Sequence, residues 1–508
     1  MSSKTLIFRA DASVAIGTGH LMRCLALAQA WKDDGGSCLF AVAQCPLAME
    51  ERLISEGMQI VHLAASPGGE ADAAALIEFA RATRAAWVVV DGYAFCAEYQ
   101  RHLKNAGIRQ LFIDDTGHAG SYFADLVLDQ NAHATENFYS TRHAGTRLLL
   151  GSLYALLRRE FRAWHGWQPE ISDIGRRVLV MMGGSDPGNV THLVIQALQR
   201  IKTKEIQATV VIGGSNPNLA SLNEAVEKSS LSMRLENNVQ DMAELMAEAD
   251  IAISSAGTTC WEMCFLGLPA VLIDVAPNQR PIAEELHRRG VAVHLGSASN
   301  ISATQMAEKL DLLLADSERR ALMAKRGREL VDGRGASRVV ADIRSHDLQL
   351  RPAEVSDCRL LWEWANDPQV RQASFTQNPI HWNEHVDWFR QKLRDENSMI
   401  FIATDEAGMP VGQVRCDTTI PGEAKIHISI AKEQRGKGYA VGLIDLAVRS
   451  IFLKDKPTIL HAWIKQENKT SVHAFEACGF VLMERGEVSG CEAFHYVRHK
   501  DQAMTMCA

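Results

Sequence analysis

A histidine directly follows a glycine-containing turn near the start of the chain, in the sequence Gly17-Thr18-Gly19-His20. The residues before the turn, 6–11, are typical of a strand, and residues 21–31 after it are rich in helix-forming leucine and alanine. This order places His20 among the backbone N–H groups of a helix N-terminus, where anions are stabilised and an imidazole can act as a base. A histidine that merely caps the helix fits the same tetrapeptide, so the motif alone leaves both interpretations open.

Other segments of the first two thirds of the chain carry turns suited to a ligand. An apolar run ends in Asp91-Gly92-Tyr93, and the turn Gly183-Gly184-Ser185 lies between a strand and a helix. Residues 254–262 open another helix with small residues and reach Glu262. Glycines before a helix bring backbone N–H groups close to a diphosphate, although ordinary turn chemistry explains them too. We expect a ligand role for the turn at 182–187 and a plain turn for the similar run at 212–217.

The last third of the chain carries a separate phosphate-binding pattern. Residues 424–430 alternate between apolar and polar side chains, as a half-buried strand does. They run into Gln434-Arg435-Gly436-Lys437-Gly438-Tyr439-Ala440, which a predicted helix at 441–449 follows. Glycines at this place expose N–H groups on which a pyrophosphate can rest. A glycine turn without a ligand is the alternative, and the position between strand and helix favours the ligand.

The elements that must position these residues follow from the patterns along the chain. The first two thirds alternate between short apolar runs and helix-forming segments, which is typical of parallel sheets with right-handed crossovers. Ligands of such sheets bind at the carboxyl ends of the strands. Strands are predicted at residues 6–9, 37–42, 87–90, 110–113, 126–128, 178–182, 208–212, 251–254 and 270–273, and helices at 21–31, 73–83 and 97–105.

The pattern changes twice, and each change predicts a domain boundary. Residues 160–172 contain two tryptophans and a proline and are typical of a linker between the two series of strands. A hydrophilic stretch at 344–347 precedes a new strand at 348–352. We therefore predict domains at residues 1–165, 166–344 and 345–508.

Composition narrows the class of protein. A chain of 508 residues is too long for a single hydrophobic core. Its composition of 47% hydrophobic and 22% charged residues is typical of a globular protein. A net charge of −8 argues against broad binding to nucleic acid or an anionic membrane. The sequence shows no membrane-length apolar run or signal peptide, and its 11 cysteines fit no disulfide framework or zinc spacing. We expect a cytoplasmic protein with reduced cysteines, small-molecule ligands and no metal, and leave the oligomeric state open.

The stretch from Arg9-Ala10-Asp11 through residue 28 resembles the start of the UDP-sugar hydrolases of the pseudaminic acid pathway. Further matches extend over most of the first two thirds of the chain. These hydrolases have the GT-B fold of the MurG-type glycosyltransferases, with two doubly wound Rossmann-like domains. They release UDP from UDP-2,4-diacetamido-2,4,6-trideoxy-β-L-altropyranose. The resemblance implies cleavage of the C–O bond with inversion and without a metal.

The resemblance also implies roles for particular residues. His20 would be the general base that activates water, and Asp11 its orienting partner. Tyr93 and Asn278 would lie at the active site, and Glu262 would take the ribose hydroxyls, unless it is a buried, hydrogen-bonded core residue. The implied UDP-sugar ligands are Gly17, Gly19, Arg23, Gly183, Gly184, Ser185, Ser255, Gly257, Thr258, Glu262 and Gln279.

The motif at 434–440 resembles motif A of the GNAT N-acetyltransferases, an α+β family, and is met by Arg435, Gly438 and Ala440. Residues 348–353 resemble the opening strand of that family and residues 467–480 its closing motif. Acetyl-CoA is the implied co-substrate. Its implied ligands are Ile430, Arg435, Gly436, Lys437, Gly438, Tyr439, Ala440, Asn468 and Ser471.

The sequence departs from the GNAT pattern at one position. The tyrosine that often protonates the departing thiolate aligns with Phe475, so water, Ser471 or Tyr439 stays open for that role. The base for the amine proton is also open, and we interpret His427 as a structural histidine.

Together the two resemblances imply a bifunctional enzyme of pseudaminic acid biosynthesis, a route to sugars found on bacterial flagellins and surface glycans. The GNAT domain would acetylate the 4-amino group of UDP-4-amino-4,6-dideoxy-N-acetyl-β-L-altrosamine, and the GT-B domains would hydrolyse the product. The alternatives are a GT-B glycosyltransferase fused to an amino-sugar acetyltransferase, the same steps on another UDP- or GDP-amino-sugar stereoisomer, and a non-catalytic sugar-nucleotide sensor.

Overall fold

The computed structural model describes residues 4–14, 16–214, 216–237, 239, 241–346, 348–405, 407–436, 439–453 and 457–500. The chain divides into two compact units, Met1–Ala336 and Ser337–Ala508. Across these described ranges, every helix is too short or too polar to cross a membrane.

Seven parallel strands open the first unit, with four helices between them. The order across the sheet is third, second, first, fourth, fifth, sixth, seventh, so the order reverses between the first and fourth strands. Such a reversal is where doubly wound sheets bind ligands. The strands are β1 (Thr5–Ala10), β2 (Ser37–Val42), β3 (Gln59–His62), β4 (Trp87–Asp91), β5 (Gln110–Ile113), β6 (Leu126–Asp129) and β7 (Arg147–Leu150). The helices are α1 (Gly19–Asp33), α2 (Leu47–Ser55), α3 (Glu70–Ala82) and α4 (Ala97–Asn105).

A second parallel sheet of six strands completes the α/β architecture of this unit. The strands are β8 (Arg177–Met181), β9 (Gln207–Ile212), β10 (Ser232–Asn237), β11 (Ile251–Ser255), β12 (Ala270–Asp274) and β13 (Ala292–Ser297). The helices are α5 (Val190–Leu198), α6 (Leu219–Glu227), α7 (Met242–Glu248), α8 (Thr259–Leu266), α9 (Arg280–Arg288), α10 (Ala303–Ala315) and α11 (Ser317–Leu330). Their order, β10-β9-β8-β11-β12-β13, reverses between β8 and β11. The predicted pair of doubly wound sheets is confirmed.

Both faces of the second sheet are buried, because its strands are apolar on both sides. Ala252 packs into one apolar cluster, while Ile251 and Ile253 pack into the other. Continuous apolar strands of this kind are typical of parallel sheets covered by helices on both faces.

The second unit is a mixed seven-stranded sheet with helices on both faces. Its helices are α13 (Cys358–Ala365), α14 (Pro368–Ala373), α15 (Trp382–Arg394), α16 (Tyr439–Phe452) and α17 (Lys469–Ala477). Its strands are β14 (Gln349–Pro352), β15 (Ser398–Thr404), β16 (Pro410–Ile420), β17 (Glu423–Ile430), β18 (Ile459–Lys465), β19 (Val481–Val488) and β20 (Cys491–His499), in the order β14-β15-β16-β17-β18-β20-β19. This arrangement confirms the predicted α+β class.

Strands β17 and β18 are parallel and separate along their length. Their pairing is limited to residues 423–425 of β17 and 459–461 of β18. Beyond these residues the two strands diverge, so a gap opens in the sheet beside Ile430, just before the start of α16.

Helix α12 (Gly335–Ser345) spans the division between the units. Its last two turns pack on α16, where Asp342 pairs with Arg449 at 3.3 Å and Ser345 lies against Gly442. The division at 336/337 therefore falls at the start of α12, whereas the predicted boundary at 344/345 lies near its end.

Candidate active sites

A cavity of about 880 Å³ lies at the carboxyl ends of both sheets of the first unit. Motifs far apart in the sequence meet here, because each of them follows a strand next to a reversal of strand order. The predicted site residues that line it are Gly17, Gly19, His20, Arg23, Tyr93, Gly183, Gly184, Ser185, Ser255, Gly257, Thr258, Glu262, Asn278 and Gln279. Asp11 is the predicted residue of this unit that does not line the cavity.

His20 lies in the first turn of α1 and is fixed by a carboxylate. Its Nδ1 is 2.7 Å from Oδ1 of Asp91, the last residue of β4. A carboxylate accepts hydrogen bonds, so Nδ1 carries the proton and Nε2 keeps its lone pair. No described residue forms a hydrogen bond with Nε2. This is the geometry of a general base held by a buried acid.

The predicted orienting partner of His20, Asp11, has a different place. Its carboxylate accepts from Nη1 of Arg9 at 2.8 Å and from the backbone N–H groups of Ala43 and Gln44 at 2.6 and 2.9 Å. Asp11 follows β1 and its side chain lies on the side of β2, so its carboxylate holds the turn after β2. Asp91 occupies the predicted role, since β4 is the other neighbour of β1. The feature of the sequence that indicates Asp91 is its place as the single carboxylate at the end of an apolar strand.

Arg23, predicted as a substrate ligand, binds two carboxylates of its own unit. Its Nε and Nη2 donate to Asp91 at 2.6 Å each, and its Nη1 donates to Asp115 at 2.6 Å. Burial alone would raise the pKa of Asp91, but the charges of Arg23 and then His20 outweigh it and hold that pKa well below its usual range. Asp91 is therefore ionised at neutral pH.

Tyr93 connects the two halves of the cavity. Its hydroxyl donates to Oδ2 of Asp115 at 3.0 Å and accepts from Nδ2 of Asn278 at 2.7 Å. Its ring stands edge-on to His20, with 5.1 Å between ring centroids. Burial, followed by the charge of Asp115, raises the pKa of Tyr93 far above neutrality, so the phenol stays protonated. Its single hydroxyl proton is directed at Asp115, and its ring is fixed beside the imidazole.

The N-termini of two helices, α1 and α8, face the cavity. Neither Thr18 before α1 nor Thr258 before α8 caps its helix through its side chain within the described residues. A Cβ added at Gly184 would lie 2.7 Å from Oγ1 of Thr18, so the two loops approach each other closely. Gly183 has φ +94°, a conformation that favours glycine. The positive ends of both helices make this part of the cavity suited to an anion.

The similar run at 212–217 has a packing role at Gly213. A Cβ there would meet the carbonyl oxygen of Gly184 at 2.1 Å, so only glycine allows the two turns to stack. Ser215, within the same run, lies outside the described residues.

Glu262 is buried and hydrogen-bonded, and one of its two carboxylate oxygens stays open to the cavity. Its Oε1 accepts from Nε and Nη2 of Arg158 at 3.0 and 2.9 Å. Its Oε2 has no hydrogen-bond partner among the described residues, and the side chain lines the cavity. The carboxylate is thus anchored by one oxygen and presents the other. Gln279 also lines the cavity and accepts the N–H of Val275 through its side chain at 3.1 Å.

The second unit places the predicted acetyl-CoA motif between β17 and α16. Gly436 has φ +71° and open space where a Cβ would lie, while Lys437 and Gly438 are outside the described residues. Tyr439 and Ala440 begin α16, whose N-terminus faces this turn. Arg435 forms an ion pair with Asp367 at 2.8 Å, which ties the turn to α14. A turn before a long helix fits a pyrophosphate.

Asn468 and Phe475 have structural contacts. Oδ1 of Asn468 accepts the N–H of Ser471 at 3.2 Å and so caps α17. Phe475 is buried in the apolar cluster of the unit, edge-on to Phe480 with 5.0 Å between ring centroids. Ile430 ends β17 and accepts from Nε of Arg435 at 3.2 Å.

A second cavity, of about 430 Å³, lies between α13, α14, α15 and the faces of β16 and β17. His427 lines it without a hydrogen bond to any described residue, which differs from the predicted structural role. Burial, followed by the charges of Arg415 and Lys425, lowers the pKa of His427 to about 3. The Oγ of Ser429, another lining residue, is buried without a partner in the described chain. The sequence patterns missed this cavity, because its residues come from five separate elements.

Two domain families match the chain. Residues 178–335 match the C-terminal domain of glycosyltransferase family 28, and residues 347–481 match the GNAT acetyltransferase domain. The first match covers the second sheet and its helices, and the second covers most of the second unit.

Three relatives cover different parts of the chain. An uncharacterized protein of Methanocaldococcus jannaschii is 22% identical over 94% of this chain and 96% of its own length. The UDP-2,4-diacetamido-2,4,6-trideoxy-β-L-altropyranose hydrolase of Campylobacter jejuni is 27% identical over 57% of this chain and 98% of its own length. The spermidine N(1)-acetyltransferase of Vibrio cholerae is 27% identical over 26% of this chain and 79% of its own length.

The described residues contain no group of three or more His, Cys, Asp or Glu side chains arranged to hold a metal ion. Both cavities combine polar side chains with apolar walls, as in sites for small organic ligands. The chain joins a GT-B segment homologous to a UDP-sugar hydrolase to a GNAT acetyltransferase domain.

Proposed function

We propose that the protein carries out two successive steps on one UDP-linked amino sugar. The second unit acetylates the 4-amino group of UDP-4-amino-4,6-dideoxy-N-acetyl-β-L-altrosamine with acetyl-CoA. The first unit then hydrolyses UDP-2,4-diacetamido-2,4,6-trideoxy-β-L-altropyranose to UDP and the free sugar, a precursor of pseudaminic acid. The observation that carries the proposal is His20, whose Nδ1 is bonded to Asp91 while its Nε2 side lines a cavity with two uncapped helix N-termini.

The hydrolysis follows from this geometry. A water donates its proton to Nε2 of His20, and its oxygen attacks the anomeric carbon. The bond between that carbon and the β-phosphate oxygen breaks, and UDP leaves with the electron pair. Asp91 holds the ring and stabilises the imidazolium that forms. The N-termini of α1 and α8 stabilise the charge that develops on the diphosphate.

The remaining cavity residues fit the other parts of the substrate. Glu262 offers Oε2 to the ribose hydroxyls, since Arg158 holds its Oε1. Tyr93 and Asn278 lie near His20, at the end of the cavity where the sugar ring would meet the water. Gly183, Gly184 and Ser185 lie opposite the α1 turn, beside the diphosphate.

The acetyl transfer uses the second unit. The pyrophosphate of acetyl-CoA lies on the turn before α16, and its pantetheine arm lies in the gap between β17 and β18. The acceptor amine attacks the thioester carbon, a C–N bond forms, the C–S bond breaks, and the amine proton is lost as CoA leaves as a thiol. Both co-substrates are cytoplasmic metabolites, so we assign the protein to the cytoplasm, with no nucleic acid or membrane as a partner.

The charges of the 430 Å³ cavity support a phosphate-bearing acceptor rather than a polyamine. Arg371 lines this cavity and donates only to carbonyl oxygens and the Ser374 hydroxyl, and no described carboxylate pairs with it. Arg415 lines it too and shares Asp417 with Lys392 at 2.8 Å each. Glu384 also lines the cavity, so its two arginines leave a net positive charge, which a sugar nucleotide would balance better than a polycation.

A second candidate function is glycosyl transfer, which the match to glycosyltransferase family 28 favours. In that case the hydroxyl of a second sugar would take the place of water at His20. The two candidates differ in whether UDP is released without an acceptor.

Mass spectrometry of the full chain in ¹⁸O-labelled water tests both steps. With the UDP-4-amino sugar, we expect UDP and a free diacetamido sugar only when acetyl-CoA is added, with the label on the anomeric oxygen of the sugar. His20→Ala should accumulate the acetylated UDP-sugar, while His102→Ala, on the surface of α4, should behave as wild type. Label in UDP, or an acetylated UDP-sugar that persists with the wild type, would overturn the proposed hydrolysis.

A further inference from the structure

His118 makes two hydrogen bonds that a neutral imidazole cannot make together. Its Nδ1 is 2.9 Å from Oδ1 of Asp114, and its Nε2 is 3.1 Å from the carbonyl oxygen of Phe95. A carbonyl oxygen only accepts, and an ionised carboxylate only accepts as well. Both ring nitrogens must therefore donate, and an imidazole with two N–H groups is a cation.

Asp114 is ionised, so it cannot supply the proton. Its Oδ1 accepts from the backbone N–H groups of Asp115, Thr116 and Gly117 at 2.6, 2.9 and 3.2 Å. Its Oδ2 accepts from the hydroxyl of Tyr122. Burial would raise the pKa of Asp114, but these bonds and His118 outweigh it and lower that pKa to about 2. A carboxylate with this many hydrogen-bond donors around it stays ionised, and both of its oxygens accept hydrogen bonds.

The two partners of His118 flank the residues that hold Tyr93. Phe95 lies two residues after Tyr93, in the loop that follows β4, and Asp114 directly precedes Asp115, which accepts from the Tyr93 hydroxyl at 3.0 Å. The ring of His118 also stands edge-on to the Tyr93 ring, with 5.4 Å between centroids. His118 thus ties the β4 loop to the turn after β5 and packs against Tyr93 on a second side, beside its contact with His20.

We infer that His118 is a protonated imidazolium that positions Tyr93 for the hydrolysis, so that the active site is assembled only while this histidine keeps its second proton. The inference rests on the proposed function for its kinetic consequence, but not for the protonation state. His118 is a positioning residue, because it acts on the substrate through Tyr93 and Asp115.

The charged and titratable groups around His118 define its pH response. Asp114 and Asp115 face it from the turn after β5, Tyr93 from the β4 loop and Tyr122 from the segment before β6. Burial lowers the pKa of His118, but the bond to Asp114 and the nearby carboxylates outweigh it and raise that pKa above its usual value.

Because the pKa of His118 is raised in the folded chain, its imidazolium persists to a higher pH than that of a histidine in an unfolded chain. Both hydrogen bonds from His118 are present below about pH 6.5, the pKa of histidine in an unfolded chain. They are lost as the pH rises through the higher pKa that His118 has in the folded chain. Tyr93 does not ionise in this range, because its own pKa is raised as well. UDP release should therefore have an alkaline limb in which kcat falls and KM changes little.

Nitrogen NMR of the full chain with ¹⁵N-labelled histidine tests the protonation state without any substrate. At pH 7, we expect a histidine signal with both nitrogens protonated that is absent from the spectrum of His118→Gln and loses its proton only above the usual pKa of histidine. A His118 signal with one unprotonated nitrogen at pH 7 would overturn the inference.

The pH profile of UDP release tests the positioning role. In His118→Gln we expect kcat at pH 6.5 to fall roughly tenfold to a hundredfold, with no alkaline limb above that pH. The matched variant His143→Gln should keep the wild-type profile. An unchanged profile in His118→Gln contradicts the positioning role. If wild type releases no UDP, the proposed function fails, while the NMR result still decides the protonation state.

Discussion

Asp91 is the residue on which the charges of the first active site depend, because it binds the Arg23 cation and the His20 imidazole at once. Oδ1 accepts from His20 and from Nη2 of Arg23, while Oδ2 accepts from Nε of Arg23 and from Sγ of Cys24. Arg23 is permanently charged, so it neutralises part of the negative charge that Asp91 presents to His20. The carboxylate can then orient the imidazole while leaving Nε2 able to accept a proton.

The sequence could place His20 and Tyr93 at one site but could not choose the partner of the histidine. Asp11 and Asp91 both follow apolar strands, and both are buried beside an arginine. Which of them faces α1 depends on the order of strands in the sheet, and this order is a property of non-local pairing. The two hydrogen bonds of His118 could not be predicted for the same reason, since Phe95 and Asp114 lie in the loops that follow different strands.

Replacing Asp91 by asparagine tests its role as the partner of His20. The amide removes the charge that stabilises the imidazolium and releases Arg23, so kcat for UDP release should fall by roughly 10³-fold or more, with KM little changed. Asp11→Asn is the matched control, since Asp11 is also buried beside an arginine but lies off the cavity. Stopped assays of UDP release give both constants. Equal losses in the two variants would argue for a general folding defect.

At the scale of elements, the strands that the sequence missed in the two sheets of the first unit share one property. The patterns predicted β1, β2, β4, β5 and β6 of the first sheet and β8, β9, β11 and β12 of the second. The missed strands, β3, β7, β10 and β13, are the edge strands of the two sheets. Edge strands pack on fewer neighbours and carry more exposed residues, as β3 and β10 do, so their apolar pattern is weak.

The turn before α16 offers a test of acetyl-CoA binding that leaves the packing unchanged. Gly436 has open space at its Cβ position, so Gly436→Asp adds a negative charge beside the pyrophosphate without a clash, together with the backbone strain that a side chain has at φ +71°. We expect KM for acetyl-CoA to rise roughly tenfold or more, the equivalent of about 1.4 kcal/mol, with kcat nearly unchanged. Gly490→Asp is the matched control, because Gly490 has φ +76° and equal space in the hairpin between β19 and β20. A similar KM in both variants would contradict the placement of the pyrophosphate.

For the whole molecule, the chemistry divides along the same line as the fold. The cavity that contains His20 is lined by residues of the first unit alone, and the cavity that contains His427 by residues of the second unit alone. In the proposed function, the intermediate is itself a soluble sugar nucleotide, the product of one cavity and the substrate of the other. The two steps therefore need no shared residue, and a substitution in one cavity should leave the activity of the other cavity unchanged.

A mixture of two variants turns this argument into a measurement. His20→Ala should still acetylate, and Gly436→Asp, at acetyl-CoA concentrations below its raised KM, should still hydrolyse a pre-acetylated substrate at the wild-type rate. Mixed in equal amounts, the two proteins should restore formation of the free diacetamido sugar after a lag that shortens with enzyme concentration, because the intermediate must diffuse between molecules. Mass spectrometry over time follows the intermediate and the product together. If each variant works alone on its own step but the mixture yields no free sugar, the intermediate does not leave the molecule that makes it, and the independence of the two units would be refuted.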